Sequence, residues 1–168
     1  MSNQSKIESV IKSIVAGASS VQLEIESKDL DLNNIGIHGR TPLMVAAAHG
    51  FLVAAQALVK CGASVHATGI RQMTALHEAS ANGETLIVKY LLSLGAEVNA
   101  ATTDHVTPLM CAAAWGNIEV ATLLLANGAD WTNVDRTGAT ASDIACEKGE
   151  NDIADLIDSK SRKSWGHP

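Results

Sequence analysis

TPLMCAAAWGNIEVATLLLANGAD, residues 107–130, is the unit from which this chain is built. Thr107 can cap the free N–H groups of a helix start, and Pro108 fits the first turn, where its missing N–H costs nothing. The small residues Ala112, Ala113 and Ala114 follow, and Gly116 interrupts them. A second apolar run from Ile118 to Ala126 ends at Gly128, so the stretch predicts two short helices joined by a tight turn. Such a pair, with an alanine-faced seam, cannot bury its apolar surface alone. It needs a copy of itself on each side.

The copies are present. Thr41-Pro42-Leu43, Thr74-Ala75-Leu76, Thr107-Pro108-Leu109 and Thr140-Ala141-Ser142 begin at steps of 33 residues. The mid-unit glycines Gly50, Gly83, Gly116 and Gly149 keep that step, as do Gly62-Ala63, Gly95-Ala96 and Gly128-Ala129. A period near 33 with the pattern T-P-L-H-x-A marks ankyrin repeats. Thr74-Ala75-Leu76-His77-Glu78-Ala79 and residues 91–100, LLSLGAEVNA, closely resemble that family's pattern, over roughly residues 30–158. The resemblance implies an all-α solenoid of stacked helix-turn-helix units with projecting β-turn fingers.

On this reading the 168 residues form a single ankyrin-repeat domain. Residues 1–35 are a degenerate N-terminal capping repeat, in which Ile7, Val10, Ile11 and Ile14 keep helical spacing. Val21, Leu23 and Ile25 would supply that cap's second helix. Full repeats follow at 36–68, 69–101 and 102–134, then a C-terminal capping repeat at 135–158 with a second helix ending at Asp158. Residues 159–168 are expected to be a flexible tail. The first helices are placed near 42–49, 75–82 and 141–148, with that of the fourth unit starting at 107–109 and interrupted by Gly116, and the second near 52–60, 85–93, 118–126 and 151–158.

Composition agrees. Hydrophobic residues make up 46% and aromatic ones only 3%, which suits thin layers packed through Ala, Leu, Ile and Val. No run approaches the roughly 18 apolar residues that a membrane span needs. Lys12 and Ser13 interrupt the only candidate signal-peptide core. The three cysteines, Cys61, Cys111 and Cys146, lie far apart, as expected of reduced thiols in a cytoplasmic or nuclear protein. Cys111 and Cys146 fall among alanines on first helices and are expected to pack in the core, with Cys61 more exposed. The net charge of −6 is concentrated at 102–158, which carries two basic and ten acidic residues. That end argues against nucleic acid as the main partner.

No constellation points to catalysis, a metal or a cofactor. His77-Glu78 lacks the second histidine of a zinc-protease helix, and the six histidines have no metal-ligand spacing. His77 falls at the family position where an imidazole ties neighbouring loops together, and Met44 and Met110 replace it in adjacent units. The resemblance therefore implies a monomeric, non-catalytic module binding a partner protein or peptide on its concave face. A small inhibitor of an enzyme or transcription factor, or a scaffold domain of a longer chain, are the alternatives.

The fingers at 36–40, 69–73, 102–106 and 135–139 and the residues just before each mid-unit glycine would line that face. The candidate partner-binding set is Trp115 as anchor, with Ile70, Arg71, Met73, Asp104 and Val106 around it, and His49, Asn82, His38 and Arg40 alongside. Trp and Arg are frequent interface anchors. The alternative for Trp115 is that it folds onto the next finger; Trp131, aligned with Val65 and Val98, is expected to pack in the core. Gln72 and His105 stand where the outer fingers carry Gly39 and Gly138, so the central turns are expected to be strained or rearranged. Finally, residues 91–100 resemble the segment that asparaginyl hydroxylases accept in animal ankyrin proteins, with Asn99 as the possible hydroxylation site. The plainer role for Asn99 is to satisfy backbone groups in its turn.

Overall fold

Each threonine of the repeated signal starts a helix. Thr41, Thr74, Thr107 and Thr140 have extended backbones, and their side chains accept from the N–H of Met44, His77, Met110 and Asp143. In the computed structural model, which describes residues 3–36 and 38–164, ten α-helices follow one another, and the described residues contain no strand.

The inner row is α1 (Asn3–Val15), α3 (Pro42–Ala48), α5 (Ala75–Ala81), α7 (Pro108–Ala114) and α9 (Ala141–Lys148). The outer row is α2 (Ser20–Glu26), α4 (Leu52–Lys60), α6 (Thr85–Ser93), α8 (Ile118–Ala126) and α10 (Asn151–Ser164). Each inner helix packs on the next inner helix and on its own outer partner. The chain is therefore a stack, with no contact between its first and last layers among the principal ones.

The seam explains the alanines. Ala46, Ala47, Ala79, Ala112, Ala113 and Ala145 are all 0% exposed, lying between successive inner helices where a larger side chain would push the layers apart. Leu43, Leu58, Leu76, Ile87, Leu91, Leu109 and Leu124 fill the space between the two rows. Burying each contributes about 1.5–3 kcal/mol. Trp131 is partly buried against this core, alongside Val98.

The C-terminal end departs from the sequence-based reading. The last helix does not stop at Asp158 but runs on to Ser164. Residues 159–164 contain neither Gly nor Pro, so no breaker stops the helix there. Trp165 and the rest of the expected tail lie outside the described residues. Cys146, expected in the core, is exposed. It occupies the position of Ala47, Ser80 and Ala113 in the earlier units, and those are covered by the next inner helix. No inner helix follows α9 in the described residues, so the same position is left bare.

Candidate functional site

The concave face begins at the fingers. Each is closed by a backbone hydrogen bond: Gly36 N–H to Arg40 C=O at 2.8 Å, Gly69 to Met73 at 2.8 Å, Thr102 to Val106 at 3.0 Å and Asp135 to Ala139 at 3.0 Å. One further bond joins each finger to the next. Ile70 N–H donates to Gly39 C=O at 2.9 Å, Thr103 to Arg71 at 2.9 Å and Arg136 to Asp104 at 3.0 Å. The fingers thus form a ribbon whose spacing is fixed by the stack beneath.

Turn geometry in this ribbon is strained at its centre. Gly39 has φ +72°, and the side chain of Ile70 lies where a Cβ at Gly39 would stand, so only glycine fits. Gln72 and His105 hold the corresponding positions with φ of 60° and 61°. The expected strain is present, and at the second finger the turn is also rearranged. Arg71 has φ 59° as well, which puts two successive left-handed residues in a short 3-10 turn over Ile70–Gln72. Each such residue costs about 1–2 kcal/mol.

His77 anchors the finger at 102–106 from below. It is fully buried, its Nδ1 facing the N–H of Thr74 at 3.3 Å and its Nε2 lying 3.0 Å from the carbonyl of Val106. That arrangement needs Nε2 protonated and Nδ1 as acceptor, a neutral imidazole. Burial pushes its pKa below the ordinary 6.5, in keeping with that state, though the backbone carbonyls of Val106 and Ala100 oppose the shift. At Met110 the sulfur takes only the first role, accepting the Thr107 N–H at 3.4 Å. The loop-tying bond to the following finger is specific to His77 among these positions.

Two ionic arrangements shape the face. Asp104 is clamped between fingers, paired with Arg71 on one side and with Arg136 Nη1 at 3.2 Å on the other. Both arginines are largely exposed, so the clamp contributes alignment more than stability. Glu78 lies deeper, buried on α5, with its Oε1 2.8 Å from Arg40 Nε. Burial raises the carboxyl's pKa, and the Arg40 guanidinium opposes that rise.

Between fingers and inner helices runs an open groove of about 430 Å³. It brings together His38, Arg40, Ile70, Arg71, Met73, Asp104 and Val106 from the expected set. Met73 and Val106 are not the protruding tips that the repeat pattern implies. They are partly buried against the core, because their carbonyls close the fingers and their side chains turn inward. Ile70 does project, 57% exposed. Ile37 lies outside the described residues.

His49, Asn82 and Trp115 do not line this groove. They are the C-caps of α3, α5 and α7, a seven-residue helix away from the fingers. At 1.5 Å per residue that is roughly 10 Å. Trp115 is 70% exposed and so does not fold onto the next unit, while His49 stacks on Phe51 with ring centroids 5.6 Å apart. The face therefore has two parts, a groove on the finger side and an exposed row at the far helix ends.

Met44 and Glu78 also line the groove, and the sequence reading placed neither there. A signal for Glu78 existed. It occupies the inner-helix position that Val45, Cys111 and Ile144 fill in the other units, and a lone acid among apolar equivalents needs a partner.

The remaining chemistry is quiet. Cys111 is pushed up to about 12, first by burial and then by Glu78, so its thiol stays protonated. Cys61 is half-buried and also raised by burial. Among the described residues, no group of three or more His, Cys, Asp or Glu side chains is arranged to hold a metal ion, and no helix is long and apolar enough to cross a membrane. Asn99 satisfies backbone groups of the next repeat rather than of its own turn, donating from Nδ2 to Gly128 C=O at 3.2 Å and accepting the Asp130 N–H at 2.8 Å. A family model of ankyrin repeats (3 copies) matches residues 10–102 and 101–163. Comparison with curated proteins finds no match.

Proposed function

Because this chain belongs to the ankyrin-repeat family, whose repeats are generally non-catalytic protein-interaction modules, we propose that it binds a partner protein across the groove and the row of helix ends beside it. The carrying observation is the groove itself. It combines an apolar wall with oriented charges, and an exposed tryptophan stands at the far ends of the same inner helices. Ile70 and Trp115 would supply apolar contact area, with Arg40, Arg71 and Asp104 setting orientation.

A photo-crosslinking residue in place of His38 or Trp115, both exposed, tests this in cells that produce the chain. The control is Gln56, exposed on the outer helix α4. The same partner protein should be captured from both concave positions and not from the outer one. Capture from Gln56 alone, or from no position, would remove the concave face from consideration. Trp115→Ala should lower affinity by at least about 2 kcal/mol if the side chain is an anchor. Its melting temperature should stay near that of the native chain.

A further inference from the structure

The charges in the groove narrow the kind of partner, given that the groove is a binding face. Arg40 is 47% exposed, yet it is not a loose surface arginine. Its Nε is held 2.8 Å from the buried carboxylate of Glu78, and its two terminal nitrogens make no hydrogen bond to a described residue. A guanidinium engaged through Nε keeps its end-on pair of N–H groups available, in a plane fixed from behind. That pair matches the two oxygens of a carboxylate.

The other ionic groups point the same way. Arg71 and Arg136 both bond to Asp104, so each carboxylate of the groove is already neutralised at bonding distance. Within the lining Arg40 and Arg71 balance Glu78 and Asp104, and Arg136, paired with Asp104 from outside the lining, adds one positive charge beside it in a chain of net charge −6. An incoming lysine or arginine would have to displace an arginine to find a partner. An incoming carboxylate finds oriented donors unoccupied. Beside Arg40 the surface is apolar, with Met44 as floor and Ile70 and Met73 as wall.

We propose that the groove receives an extended segment of the partner protein, pairing an Asp or Glu side chain end-on with Arg40 and laying a neighbouring large apolar side chain against Ile70 and Met73.

Selection of random short peptides displayed on phage against the immobilised full chain tests this. Selected peptides should carry an acid within two residues of Leu, Ile, Met or Phe. Affinity of a synthetic version, read by fluorescence anisotropy, should fall about tenfold or more when its acid becomes the corresponding amide. It should fall equally on Arg40→Gln. That variant leaves Glu78 without its cation, so the double variant Arg40→Gln/Glu78→Gln, which buries no unpaired charge, is measured beside it and should show the same loss. Enrichment of Lys and Arg, or acid-free peptides that bind native chain and double variant alike, would overturn the inference. Peptides lost on Ile70→Asp yet indifferent to Arg40 refute this pairing while leaving the groove as the binding face. Peptides indifferent to both, or no enriched peptide at all, refute the groove with it.

Discussion

Glu84→Asn should stabilise the protein, and the structure itself contains the model for it. Asn117, one repeat later, rests its side chain over Gly83 and donates from Nδ2 to Ser80 C=O and Ala81 C=O, both at 2.9 Å. Those carbonyls end α5 and have no intrahelical donor of their own. Glu84 occupies the equivalent seat over Gly50, where the carbonyls of Ala47 and Ala48 end α3. A carboxylate cannot donate to them, and it places negative charge at the negative end of a helix dipole. Among the described residues, the Glu84 carboxylate engages no ion pair or hydrogen bond that the substitution would remove. Two neutral hydrogen bonds are worth about 0.5–1.5 kcal/mol each. Because the seat is half-exposed, the lower half of that range applies. The charge–dipole terms offset each other, because Glu84 is also the N-cap residue of α6, whose positive end favours its carboxylate. The gain is therefore about 1–2 kcal/mol from the two bonds, which for a chain of this size raises the melting temperature by about 2–4 °C per kcal/mol. Thermal and urea unfolding followed by circular dichroism read it directly, and Asn117→Glu is the reciprocal variant, with a loss of similar size. A Glu84→Asn protein no more stable than the native chain, with Asn117→Glu costing nothing, would show that the inter-repeat amide bond carries no net energy.

Three further outcomes follow from the same packing. Ala113→Leu, at a seam position that is 0% exposed, should overpack the stack and cost about 1–3 kcal/mol, so an unchanged unfolding curve would mean this face can open freely. Ser80→Ala should be neutral to stabilising by about 1 kcal/mol, because the buried Ser80 hydroxyl has no hydrogen-bond partner among the described residues and alanine already fills the equivalent Ala47 and Ala113 positions; a clear loss would reveal a partner for the hydroxyl. His77 is held neutral with its pKa below 6.5, so the unfolded chain takes up that proton first. Its contribution to stability is complete above 6.5 and is lost as pH falls from there toward the folded-state value. His77→Met, in which sulfur can accept the Thr74 N–H as it does at Met110, should lower stability at neutral pH and flatten that part of the profile. An identical slope in native and variant would assign the acid sensitivity elsewhere.

The sequence by itself determined the layer and its repetition. Thr caps, a proline at the helix start, paired glycines and alanine seams are local signals whose physics is settled within one unit. Their 33-residue step then requires stacking, because no unit can bury its own apolar face. It also marked the central fingers, where Gln72 and His105 adopt positive φ without glycine. Tertiary structure alone decided what each repeated position meets. Cys146 and Ala113 are equivalent in the pattern, yet only Ala113 is covered, because burial in a stack depends on whether a neighbour follows. Met73 and Val106 look like finger tips in sequence and turn inward in space. Arg40 and Glu78 lie 38 residues apart, and nothing local says that the buried acid of one unit aims the arginine of the previous one. Periodicity fixes which residues are equivalent; the charge pairs that cross between units belong to particular layers, and only their assembled geometry makes a groove with a direction and a sign.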